Sequence, residues 1–221
     1  MLLSNYYYYF QSALSTKFCE EVLEYGKKHI LQDAVTHVHN PDGQQDFKPT
    51  LDEMTDEEKT HVLKKRKSNI AWFDDRWIFK EIHPYIHEAN REAGWNFDWD
   101  FTENAQFTKY GVGQHYGWHA DGNIKPYSNK EQYNYYGKVR KLSVTIQLNK
   151  PEEYDGGNLE FSFRNDRDYE SNSTKDIRSC TEIRPQGSIV VFPSFVWHRV
   201  TPVTRGTRYS LVMWNLGFPW R

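Results

Sequence analysis

The chain has 221 residues, 38% of them hydrophobic and 26% charged, with a formal net charge of −2. That length buries one sizeable core without requiring two, and that charge argues against a binder working by electrostatics alone on nucleic acid or anionic lipid. Cys19 and Cys180 stand far apart, so no disulfide framework and no thiolate metal site is expected.

The start, MLLSNYYYYF, has no cationic leader, and no later run is long enough to span a bilayer, so a cytoplasmic protein without a membrane partner is expected. An aromatic content of 16% suits a core or a groove lined with large rings. In chain order, Ser15 or Thr16 caps a helix carrying Phe18, Val22 and Leu23 on one side before Gly26, and Thr55 with Glu58 forms a capping-box pattern. Residues 33–49 between them read as loop. Residues 68–72 form a short strand. Trp77, Ile78, Ile82, Ile86, Ala89 and Ala93 then recur at helical spacing, with Pro84 bending or restarting the helix. His83 and His87 lie four apart there but lack a third ligand, which favours packing or surface roles.

From Trp95 onward the pattern changes to short β-type runs separated by turn residues. Eight strands are predicted, over 105–110, 115–121, 141–148, 158–163, 181–184, 188–192, 196–200 and 208–214. The expected fold is mainly β with a helical flank (α+β), a single domain with supporting helices over 1–95 and a double-stranded β-helix, or jelly roll, over 96–221. Two long connections interrupt it, a tyrosine-rich one over 125–137 and a charged one over 164–179, each readable as a substrate lid or as a surface insertion.

In GWHADGN, His119 and Asp121 are two apart on a predicted strand and therefore project to one face. His198, in FPSFVWHRV, supplies a third group from another strand, completing a 2-His-1-carboxylate set of the kind that holds iron(II) with three open positions. An H-x-D pair alone is weak; the ordered series behind it, ending with Arg208 ten residues after His198, is not. 2-Oxoglutarate chelates such a metal and extends a second carboxylate into the barrel, where a bidentate partner is needed. Arg208 fits that need, with Tyr110 and Thr145 as hydroxyl donors.

These motifs, together with KYGVGQHYGWHAD, RKLSVTIQLN, GGNLEF and PVTRGTRYSLVMW, resemble the prolyl-hydroxylase branch of the iron(II)- and 2-oxoglutarate-dependent dioxygenases, including prolyl 4-hydroxylases and PKHD-type hydroxylases. The resemblance covers 104–214. It implies Fe(2+) held by His119, Asp121 and His198, 2-oxoglutarate and O2 as cosubstrates, and possible use of ascorbate. It places Tyr110 and Leu159 in the cosubstrate pocket, Trp214 beside the active site and Arg140 near the substrate entrance. Gln147 stands where hypoxia-sensor enzymes carry a tyrosine; it can donate to a carboxylate or form plain wall.

The implied partner is a proline-containing peptide or protein, with Tyr127, Tyr135 and Tyr136 offering rings on which a proline can pack or which merely brace their loop. Two alternatives stay open: an oxygenase acting on lysyl residues, a free amino acid or another small substrate, and a non-catalytic jelly-roll binding module. Near-neutral charge argues against a nucleic-acid substrate.

Overall fold

The computed structural model describes residues 5–29, 32–34, 51, 54–122, 125–163 and 176–219. Two antiparallel sheets face each other. The larger has the order β1 (Tyr8–Phe10), β12 (Ile189–Pro193), β8 (Val139–Gln147), β15 (Arg208–Gly217), β6 (Ala105–Tyr110), β4 (Asn69–Phe73), β2 (Gln32–Asp33), and β5 (Phe101–Thr102) pairs with the far end of β15. The smaller runs β11 (Ile177–Ser179), β10 (Leu159–Ser162), β13 (Trp197–Val200), β7 (His115–His119), β3 (Arg66–Lys67). A ribbon of β9 (Tyr154–Gly156) and β14 (Val203–Gly206) closes one end. This is a jelly roll.

Alternation along the strands separates two cores. Leu142, Val144 and Ile146 of β8, Leu211 and Met213 of β15, and Phe107 of β6 turn outward onto α1 (Thr16–Lys28) and α3 (Arg76–Glu92). Ile78, Ile82 and Ile86 of α3 are fully buried there, each contributing roughly 1.5–3 kcal/mol. The intervening residues, Ser143 and Thr145, Ser210 and Val212, Thr108 and Tyr110, face the smaller sheet. A second cluster, with Phe161, Val190, Phe192 and Val200, fills the space between the sheets.

Ser15 caps α1 by accepting from the Phe18 amide, and Thr55 and Glu58 form the expected reciprocal box at the start of α2 (Asp56–Lys65). Gly26 does not end α1. It lies inside the helix, where an added Cβ would stand 2.5 Å from the Phe107 ring, so the missing side chain is what lets α1 approach β6. Pro84 likewise neither breaks nor restarts α3, which runs on past it, with Pro84 on the exposed side. His83 bonds Thr102 Oγ1 and His87 stacks on Trp99, the packing roles expected.

Several expectations are corrected. Residues 181–183 form a 3-10 turn rather than a strand. The first part of the chain is not only helical support: the strand expected over 68–72 is present as β4 in the larger sheet, and β1 and β3, which no local periodicity marks, extend the two sheets by long-range pairing. Most of the predicted 33–49 loop lies outside the described residues, as does 164–175, but residues 177–179 pair with β10. Among the described residues no helix is long and apolar enough to cross a membrane.

Candidate metal centre

The antiparallel pairing of β7 with β13 sets His119 directly opposite His198, close enough for their rings to lie 4.1 Å apart. Asp121 is not in the strand as expected. β7 ends at His119, and the chain then turns under Ser194, whose carbonyl accepts from the Gly122 amide at 2.7 Å. The turn brings the carboxylate back between the imidazoles: Asp121 Oδ1 is 3.6 Å from His119 Nε2 and Oδ2 is 3.5 Å from His198 Nε2. One donor atom from each residue lies within 4.8 Å of the others.

Each group is held from behind. His119 Nδ1 donates to the Gly117 carbonyl at 2.8 Å and His198 Nδ1 to the Val196 carbonyl at 3.0 Å, so both Nε2 atoms present bare lone pairs inward. Ser143 Oγ donates to Asp121 Oδ2 at 2.7 Å and is itself 2.9 Å from Ser194 Oγ, which therefore donates to it. Burial, then the charge of His198, drive the His119 pKa well below the ordinary histidine range and keep that ring neutral. Burial pushes Asp121 upward, but His198, His119, Arg140 and the Ser143 bond outweigh it and leave its pKa at about 2. Two imidazoles with their Nε2 atoms turned inward and one carboxylate are the donor set a divalent iron ion takes.

The cluster opens into a cleft between the sheets. Arg208, Ser210, Val212 and Trp214 line it in alternation along β15, with Tyr110 of β6, Thr145 of β8 and Leu159 of β10 closing the Arg208 end. Arg208 is 2% exposed. Its Nε donates to Gln147 Oε1 at 3.2 Å, its guanidinium lies 5.7 Å from the Tyr110 ring centre, and no acidic side chain pairs with it among the described residues. The turn before β10 makes room: at Gly157, with φ +58°, a Cβ would sit 3.0 Å from Arg208 Cδ.

A match to the family model described as the 2OG-Fe(II) oxygenase superfamily spans residues 105–215, which includes all three metal-cluster residues and Arg208. The chain belongs to this superfamily. A PKHD-type hydroxylase of Herminiimonas arsenicoxydans is 36% identical over 111 residues, 49% of this chain and 41% of the relative. A PKHD-type hydroxylase of Paracoccus denitrificans is 35% identical over 109 residues, covering 49% and 40%. The match therefore takes in well under half the length of these curated relatives.

Solved structures extend the likeness in fold to nearly the whole chain. The viral collagen prolyl hydroxylase of Paramecium Bursaria Chlorella virus-1 superposes with a TM-score of 0.61 at 18% identity, covering 97% of each chain. A Pseudomonas putida prolyl-4-hydroxylase gives 0.62 at 17%, covering 96% and 93%. A Trichoplax adhaerens prolyl hydroxylase solved with a hypoxia inducible factor peptide gives 0.62 at 16%, covering 96% and 84%.

The other residues expected at the site are distributed unevenly. Tyr110, Thr145, Leu159, Arg208 and Trp214 all reach the cleft. Gln147 does not: its amide nitrogen donates to Asn149 O and Oδ1, so it stands behind Arg208 as a support and has no donor left to offer a ligand there. Arg140 does not project freely, since Glu103 holds it through two hydrogen bonds of 2.7 and 2.6 Å while its guanidinium lies over the Trp214 ring at 4.2 Å. Burial alone would lower the Arg140 pKa; Glu103 more than reverses this and fixes the cation. Tyr127 and Tyr135 pack edge to face beside this pair, with Tyr135 also against Phe101, whereas Tyr136 is exposed.

Sequence reasoning missed Glu103, Ser143, Gln106, Tyr116 and Arg66. The RKLSVTIQLN alternation contains a signal for Ser143, on the same strand face as Thr145. Nothing local marks the other four.

Proposed function

We propose that this protein is an iron(II)- and 2-oxoglutarate-dependent hydroxylase acting on a proline-containing peptide or protein, with His119, Asp121 and His198 holding the ion and Arg208 holding the distal carboxylate of the cosubstrate. The observation that carries this reading is a three-donor cluster with both Nε2 lone pairs turned inward, in the same cleft as a buried arginine that has no acidic partner among the described residues. A guanidinium at that burial needs an anion. When bound, the ion and its cosubstrate supply the oxidation of an unactivated C–H bond by dioxygen, coupled to decarboxylation of 2-oxoglutarate to succinate.

The protein's own residues provide placement and exclusion of water. Gln147 fixes the roll of the Arg208 guanidinium, Gly157 leaves space for its stem, and Tyr110 and Thr145 offer hydroxyls beside it. Ser143 orients the Asp121 carboxylate so that one oxygen stays free to bind. Leu159, Val200 and Val212 give the cleft apolar walls. No side chain has to act as a general base.

The proline assignment is supported by the names of the relatives and structural neighbours and by the aromatic residues near Arg140: Trp214, which lines the cleft, and Tyr127, with Tyr135 packed on it. The test is incubation with iron(II), 2-oxoglutarate and a library of proline-bearing peptides, read by tandem mass spectrometry. Addition of one oxygen to proline is expected. Addition at lysine or on a free amino acid would move the substrate elsewhere, and wild-type succinate formation by His198→Ala would defeat the metal assignment itself.

A further inference from the structure

We infer that the substrate carries a carboxylate, and that Arg66 reads it. Arg66 lies in β3, outside the segment that matches the family, and its side chain enters the metal cleft at 7% exposure. Nε donates to Ser68 Oγ at 3.0 Å, Nη2 to Gln106 Oε1 at 2.8 Å, and the guanidinium lies over the Tyr116 ring at 4.4 Å. Tyr116 in turn stacks on His119 with ring centres 3.5 Å apart. These contacts aim the group and use only part of its five donors. No acidic side chain pairs with it among the described residues.

The charges in the cleft define what is missing. This step rests on the proposed function. Against a divalent ion and a dianionic cosubstrate, which cancel, Asp121 answers Arg208; Arg140 is answered by Glu103; Arg66 is left over. A buried cation with no counter-charge is expensive, and a substrate carboxylate arriving there meets a preformed planar fork.

The Arg66 position is also distinct from the cosubstrate anchor. Along β6, Tyr110 pairs with Arg208 of β15, whereas Gln106, which holds Arg66, pairs with Val212. Four residues of extended chain separate the two, roughly 14 Å.

A second observation marks the same end of the cleft. Trp214 Nε1 is a buried donor without a hydrogen-bond partner, on a ring lying 6.0 Å from that of Trp72, and Trp72 pairs with Gln106. The indole and Arg66 together present N–H groups and no acceptor, so the occupant brings oxygen atoms: a peptide carbonyl to Trp214 and a carboxylate to Arg66. Trp72, 41% exposed, supplies an apolar rim beside them. The carboxylate has two possible sources, an acidic side chain near the reacting proline or the free C-terminus of a short peptide.

The test uses iron(II)- and 2-oxoglutarate-loaded protein kept free of oxygen, titrated with blocked proline peptides and followed by calorimetry and tryptophan fluorescence. One arm compares aspartate with asparagine beside the proline; the other compares a free C-terminal carboxylate with its amide. Wild-type protein is expected to favour the carboxylate in one arm by roughly tenfold or more. Arg66→Gln should abolish that preference while retaining 2-oxoglutarate binding, and Arg66→Lys should keep part of it.

Indifference of the wild type to charge in both arms overturns the inference even if Arg66→Gln fails to fold. Loss of 2-oxoglutarate affinity in Arg66→Gln overturns it too, by placing Arg66 in the cosubstrate site. Carboxylate preference without any oxidation when oxygen is admitted would sink the proposed function and leave the Arg66 site standing; oxidation without preference would do the reverse.

Discussion

Gly157→Ala tests whether the turn before β10 exists to seat Arg208. The backbone there has φ +58°, a left-handed conformation that costs an alanine about 1–2 kcal/mol. The new methyl would also stand 3.0 Å from both Arg208 Cδ and Val203 Cγ2, tight enough that one must yield, which adds roughly 1 kcal/mol. The sum, about 2–3 kcal/mol, lowers Tm by roughly 5–10 °C in a chain of this size. Arg208 Cδ is bonded to the Nε that donates to Gln147, so displacing it disturbs that hydrogen bond. A loss of about 0.5–1.5 kcal/mol there corresponds to a roughly two- to twelvefold higher 2-oxoglutarate requirement.

Gly156→Ala is the control. Its Cβ would meet the Pro202 carbonyl at 2.3 Å, and its nearest neighbours belong to Pro202 and Thr204 rather than Arg208, so it should destabilise at least as much without changing the cosubstrate requirement. Thermal melts and succinate formation against 2-oxoglutarate concentration measure both. If the two variants shift KM for 2-oxoglutarate equally, the local link from Gly157 to Arg208 is wrong and both glycines serve only the turn.

Other expectations concern single contacts. Glu103→Ala leaves the Arg140 guanidinium without its partner and should cost about 2–3 kcal/mol by urea unfolding, less than the ~3–5 kcal/mol of a fully buried pair because the Arg140 side chain keeps 21% exposure; adding Arg140→Met should restore much of it. Gly26→Ala drives a methyl to 2.5 Å from the Phe107 ring and should destabilise by about 1–3 kcal/mol while leaving metal affinity unaltered, since Phe107 faces the helices and not the cleft. Cys19 and Cys180 are buried, which first of all raises their thiol pKa values to about 11 and about 12; both are expected to resist a thiol reagent at neutral pH until the protein is unfolded.

The sequence by itself determined the His-Asp-His donor set, the buried arginine that shares its cleft and the fold class. His119, Asp121, His198 and Arg208 are legible because each sits in a short local pattern whose chemistry requires that residue type, and the alternation in 141–148 and 208–214 states which side chains share a face. Tertiary structure decided what those patterns leave open. Asp121 reaches the metal cluster by a turn that sequence alternation had read as strand, and Gln147 turned out to support Arg208 from behind.

The groups that sequence reading missed are joined across long separations: Arg66 to Gln106, forty positions apart, and Glu103 to Arg140, thirty-seven. Period and spacing encode which face of a strand a residue occupies. They do not encode which strand lies beside it, and in an antiparallel sandwich that neighbour relation decides which charges meet in one cleft and which are left over.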